Sequence, residues 1–138
     1  EKIVCVTAEN SIFLKGITTP TLEELAECPL CLSTGCHLMM SKIFAEKSIR
    51  PQVLSICTTR TTALRWAEDD CGVSIVPMEP KEKLPEGLIA KAITGVDTDL
   101  YKTVVRVKGR PLSVVAKKFL QFYSDVRDSE RMIKIKDL

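Results

Sequence analysis

Twenty consecutive residues, Thr58 to Pro77 (TTRTTALRWAEDDCGVSIVP), restrict the possible folds most tightly. Thr58, Thr59, Thr61 and Thr62 suit a helix start, because a threonine oxygen accepts from first-turn N–H groups that have no partner inside the helix. Ala63, Leu64 and Ala67, with Trp66 nearby, then give an apolar stripe at helical spacing. Asp69 and Asp70 end the helix, Gly72 permits a tight turn, and Val73, Ile75 and Val76 make a strand that Pro77 closes. A helix that opens on hydroxyls and unpaired donors between two buried strands is a common way to build a small-anion site.

The rest of the chain repeats this alternation. Ile3 to Ala8 reads as a β-branched strand, and Thr21 with Glu24 forms a capping box into a short helix through Ala26. Leu30 to Leu32 is a short strand, Ser33-Thr34-Gly35 the loop after it, and Cys36 to Lys47 a helix on the spacing of Met39, Met40, Ile43 and Phe44. Val53 to Cys57, Leu88 to Ile93 and Tyr101 to Val107 are further strands, and Met78 to Gly87 is a proline-rich surface loop. Pro111 suits the first turn of a last helix, whose apolar face runs through Leu112, Val115, Ala116, Phe119, Tyr123 and Val126. Residues 128–138 read as a charged, frayed tail. Strand–helix alternation at this rhythm gives an α/β domain with a mostly parallel sheet flanked by helices.

Composition narrows the function. With 138 residues, 45% apolar and a net charge of +2, the chain has a core-forming balance and no concentrated basic stripe for nucleic acid. Lys117, Lys118, Lys134 and Lys136 read as a solvated face. No apolar run reaches membrane-spanning length and no signal peptide is visible. The chain opens at Glu1 inside a strand-like run, as though cut from something larger, and a cytoplasmic setting with reduced thiols is the default. Of the six cysteines, Cys28, Cys31 and Cys36 give C-x2-C-x4-C beside His37, but Cys57 and Cys71 stand too far apart for a second ligand pair. Packing as small apolar side chains is the preferred reading, and no cofactor or metal is expected.

Five segments in order resemble the C-terminal effector-binding domain of LysR-type transcriptional regulators, a type II periplasmic-binding-protein-like fold. Thr21 to Leu32 (TLEELAECPLCL) is similar to that family's segment before the first cleft loop, and Phe44 to Pro51 (FAEKSIRP) to its F-x-x-x-g-x-x-P. Ala63 to Pro77 is similar to its lVaaGlGiallP, with Gly72 at the second glycine and Asp70 where the first usually stands. Glu86-Gly87-Leu88 and Leu112 to Phe119 complete the series. The resemblance implies an effector-binding subdomain over residues 1–100 and a strand and helix over 101–127 that return to the other subdomain. It also implies a DNA-binding helix-turn-helix domain outside this chain.

The resemblance further implies a ligand cleft, to which this half contributes two loop–helix junctions: Ser33, Thr34, Gly35, Cys36 and His37, and Thr58, Thr59 and Thr61. Both offer hydroxyls and helix N–H groups suited to a carboxylate or other small anion, although capping alone also explains the hydroxyls. Gly35 either lets backbone approach a ligand or makes the turn. Cys36, in a first helical turn where the helix dipole favours a thiolate, supports an alternative: a thiol-based redox sensor of the same fold. No second cysteine lies between Lys42 and Arg50 to resolve an oxidised Cys36. An enzyme or a transport protein is the third class; the single histidine and the lack of any nucleophile–base motif disfavour the enzyme, and the missing signal peptide disfavours the transport protein. The apolar face of the last helix needs cover, so a homodimer or segment-exchanged oligomer is expected.

Overall fold

Apolar residues alternate with nothing polar along Ile3–Val6, a pattern suited to a strand covered on both faces. The computed structural model, which describes residues 1–101, 103–130 and 134–137, builds two units, Glu1–Leu100 and Tyr101–Leu138. In the first, strands β1 (Lys2–Ala8), β2 (Pro29–Ser33), β3 (Gln52–Cys57), β4 (Val73–Met78) and β5 (Leu88–Ala92) form one sheet in the order β3-β2-β4-β1-β5. Helices α1 (Leu22–Ala26) and α2 (Thr34–Glu46) bury Leu25, Met40 and Phe44 against Ile3, Cys5, Leu30, Leu32, Val73 and Ile75. Helix α3 (Arg60–Glu68) buries Ala63, Leu64 and Ala67 against Val6 and Val76. On that side the buried Ser74 hydroxyl donates to the Ala63 carbonyl at 2.5 Å, fixing α3 to β4.

The sheet is mixed. β2 runs parallel to β3 and β4, and β1 pairs antiparallel with both β4 and β5. Four of the five strands thus share one direction, and β1 alone is reversed. The largely parallel sheet expected from the alternation holds for the β3-β2-β4 part that carries both loop–helix junctions.

Local differences have local causes. Pro77 does not close β4 but lies inside it, opposite Ile3. The Ile3 N–H turns away from β4 to the Thr98 carbonyl at 2.8 Å, so Ile3 and Pro77 form a non-hydrogen-bonded pair. On the other side the β2–β4 ladder ends at Leu32↔Ile75, so proline's missing N–H costs no bond. The turn after α3 is made by Asp70, at φ 50°, and not by Gly72. Cys71 N–H donates to the Trp66 carbonyl and Asp70 N–H to the Ala67 carbonyl, a Schellman cap with aspartate in glycine's usual left-handed place. The Ser11 hydroxyl donates to the Asp70 carboxylate at 2.5 Å and holds it there. α2 ends in the same way, with Ser48 at φ 57° and Ile49 N–H on the Phe44 carbonyl. Gly72 is required for another reason: a Cβ there would meet the Pro29 carbonyl oxygen at 2.5 Å.

In the second unit β6 (Thr103–Arg106) and β7 (Lys134–Asp137) pair in parallel, joined through α4 (Val114–Glu130). Pro111 precedes the helix, and Ser113 caps it, its Oγ accepting from Ala116 N–H at 3.1 Å. Residues expected in a charged tail continue α4 to Glu130 and form β7; residues 131–133 and 138 of that stretch, like Lys102 of the expected strand, lie outside those described. Lys117 and Lys118 are exposed, as expected of a solvated face.

Candidate functional site

Adjacent parallel strands whose following helices leave on opposite faces create a crevice beyond their carboxyl ends. β2 and β3 do this, with α2 on one face of the sheet and α3 on the other. Ser33 stands opposite Cys57 in the ladder, and the Thr34 hydroxyl donates to the Cys57 carbonyl at 2.9 Å. The two junctions are therefore tied side by side, and residues 33–37 and 58–61 form one rim.

The two helix starts are not equivalent. At α3, Thr59 is the N-cap, and its Oγ1 accepts from Thr62 N–H at 3.1 Å and lies 2.9 Å from Thr62 Oγ1. That helix start therefore has a side-chain cap of its own. At α2, Ser33 is the N-cap but makes no side-chain capping bond. Its Oγ is buried and has no hydrogen-bond partner among the described residues. A buried, unpaired hydroxyl beside an uncapped helix start is a polar arrangement left open for an acceptor or donor from outside.

The remaining expected residues sort by exposure. Thr34, Gly35, Thr58, Thr59 and Thr61 are exposed, and His37 is half-buried. Gly35 sits within the first turn of α2, where a Cβ would meet nothing within 4 Å, so neither a turn nor crowding demands glycine there. Cys36 is fully buried. Burial pushes its thiol pKa up; contact with the Ser33 hydroxyl, short of hydrogen-bond geometry, opposes the rise, and the Glu1 charge adds to it. The net direction is upward, against the expectation of a favoured thiolate.

One residue of the rim escaped the sequence reading. Arg60, the first residue of α3, ion-pairs with Glu82 of the segment after β4. No local sequence pattern links it to Glu82, and only the tertiary fold brings the two together. A concavity of about 590 Å³ lies at the carboxyl end of β1 and includes Thr7, Ser11 and Lys91. Within it Lys91 Nζ donates to the Leu14 carbonyl at 2.8 Å and the Ser11 hydroxyl is bonded to Asp70.

Residues 1–128 match the family model described as LysR substrate binding domain. No curated protein matches the chain. Among solved structures, the chain is similar to the effector binding domain of QuiR in complex with shikimate, at TM-score 0.71 and 18% identity over 96% of this chain and 64% of that one. It is also similar to the CcmR regulatory domain of Synechocystis PCC6803 in complex with 2-PG (TM-score 0.72, 14% identity, 95% and 65% covered). A third is the C-terminal domain of a probable LysR family transcriptional regulator from Rhodococcus sp. RHA1 (0.69, 20%, 89% and 63%). The chain thus spans just under two thirds of each of these structures.

Proposed function

The chain belongs to the LysR substrate binding domain family, and on that footing we propose that it senses a small anionic metabolite at the rim formed by Ser33, Thr34, Gly35, Cys36, His37, Thr58, Thr59 and Thr61. It is a regulatory and not a catalytic module. Binding favours one cleft geometry over another and so biases DNA binding by a helix-turn-helix domain elsewhere in the parent protein. In this proposal residues 1–100 are the effector-binding subdomain and 101–127 the strand and helix of the other one. A cytoplasmic setting goes with DNA binding; among the described residues no helix is long and apolar enough to cross a membrane.

The observation that carries the reading is the buried Ser33 hydroxyl without a partner at the uncapped start of α2. An acid group there gains the hydroxyl, the first-turn amides and the positive end of the helix dipole. Shikimate, bound by the similar QuiR domain, is a ligand of this kind. Thiol sensing gains no support from a Cys36 that is buried with a raised pKa. A homodimer or segment-exchanged oligomer belongs to the same proposal, because α4 presents Val115, Phe119 and Phe122 at 77%, 52% and 66% exposure. Light scattering that shows a strict monomer counts against that part.

A thermal-shift screen of the full-length protein against aromatic acids, amino acids and short carboxylates tests the ligand class. Stabilisation by one or more acids, lost on esterification of the acid group, is the expected result. Stabilisation by neutral compounds alone overturns it.

A further inference from the structure

Across positions 33–37 and 58–61, Arg60 is the only side chain with a formal charge at neutral pH. An anion site with a single cation depends on what that cation is doing. Arg60 Nη1 donates to Glu82 Oε1, in a pair whose side chains are 27% and 33% exposed. Glu82 Oε2 meanwhile accepts from Glu79 N–H at 3.1 Å, and Glu82 N–H donates to the Glu79 carbonyl at 3.0 Å. The carboxylate thus closes its own turn and holds the rim's cation at once. Leu84, two residues on, packs on the core beneath α3, so this ion pair and an apolar contact both fasten the segment after β4 to α3.

The guanidinium is only partly satisfied by this arrangement. Arg60 Nε is buried and makes no hydrogen bond. A guanidinium has five N–H donors arranged to grip an acid group through two of them, and leaving one desolvated and idle makes the present geometry a poor use of it. A free acid group arriving at the rim can offer the paired contact that Glu82 does not complete.

We propose that Glu82 is a built-in competitor for the effector's acid group: it neutralises Arg60 in the empty state, and an anion at the rim takes Arg60 from it and releases residues 79–87. The inference rests on the anion-sensing reading above and adds to it the cation, the competitor and the segment that responds. The pair sets a threshold for affinity, since every anion must displace an internal carboxylate already in place. It also selects for groups that grip a guanidinium with two oxygens, which carboxylates and phosphates do and neutral hydroxyl compounds do not.

The test uses the 138-residue chain, with inorganic phosphate and benzoate titrated separately at fixed ionic strength. Backbone amide spectra report residues 33–37 and 58–61, and hydrogen exchange reports residues 79–87. Expected in the unaltered protein are shifts at the rim amides together with exchange at 79–87 that speeds up several-fold. In Glu82→Gln the segment exchanges quickly without any anion, and the probe binds roughly five- to tenfold more tightly. In Arg60→Gln the segment is equally fast and binding weakens by at least about tenfold. Rim amides that shift while 79–87 keep their exchange rate, with Glu82→Gln binding like the unaltered protein, overturn the exchange and leave the anion site standing. A rim that fails to respond to both probes in every variant overturns the anion site and the exchange together.

Discussion

Ser33→Ala separates the needs of folding from those of binding, because the two readouts should move in opposite directions. An N-cap serine normally contributes about 1 kcal/mol through its side-chain bond, but Ser33 makes none, so that loss is absent here. What the hydroxyl does incur is desolvation without a partner, worth about 1–3 kcal/mol in mutational data. The neighbouring Cys36 sulfur offsets part of this, which leaves an expected gain near the lower limit, about 1 kcal/mol. For a unit of 100 residues that gain raises Tm by roughly 4–8 °C. Trp66, the only tryptophan, packs against the second core cluster and reports the transition by fluorescence. The same substitution removes a hydrogen bond to a charged ligand, worth about 1.5–3 kcal/mol, and so weakens binding of any acid found in the screen by roughly 10- to 150-fold. A lower Tm, or a higher Tm with unchanged affinity, refutes the assignment of Ser33 as a group held open for ligand.

Gly72→Ala forces a Cβ to 2.5 Å from the Pro29 carbonyl oxygen, backbone against backbone. The cost should be about 1–3 kcal/mol, read as a lower urea midpoint with unchanged slope. Gly35→Ala meets open space inside a helix, so stability should rise by up to about 1 kcal/mol while acid binding falls. Alkaline pH should destabilise the fold. Burial pushes Cys5 up to about 12 and Cys31 up to about 11 from an ordinary 9.0. Both thiols stay protonated in the fold after the unfolded chain has ionised, so their contribution is intact below pH 9.0 and disappears as pH climbs through these raised values. Between pH 9.0 and about 11 each removes about 1.4 kcal/mol per pH unit, and urea midpoints measured across that window check it.

Elements whose cause is local were legible in the residues. The Thr21–Glu24 capping box forms as expected, with Thr21 N–H on Glu24 Oε2 at 2.8 Å and Glu24 N–H on Thr21 Oγ1 at 3.2 Å. Ala63, Leu64 and Ala67 are buried where the stripe placed them. Elements decided by a distant partner were not. Asp70 takes a glycine's place because Ser11, fifty-nine residues earlier, holds its carboxylate. Pro77 stays in a central strand because Ile3 turns its N–H to Thr98. At the candidate site the pairing of the two junctions was implied by the family resemblance, whereas the contrast between a capped α3 and an uncapped α2 depends on where one hydroxyl points. Arg60 was missed for the same reason, since its partner comes from a proline-rich surface stretch with no pattern linking it to α3.

The reversed strand has a consequence for how the protein acquires its shape. Within this unit β1 is made first, yet its ladder partners, at Ser74–Met78 and Leu88–Ala92, are among the last residues of the unit to be made. The Cys5 thiol reaches the Lys91 carbonyl across 86 positions of sequence. Until those residues emerge, an apolar segment with two open edges has nothing to pair with, which is the situation in which nascent chains aggregate or recruit chaperones. Synthesis halted ahead of Leu88 should therefore yield a chain that cannot close its sheet, however well its helices form.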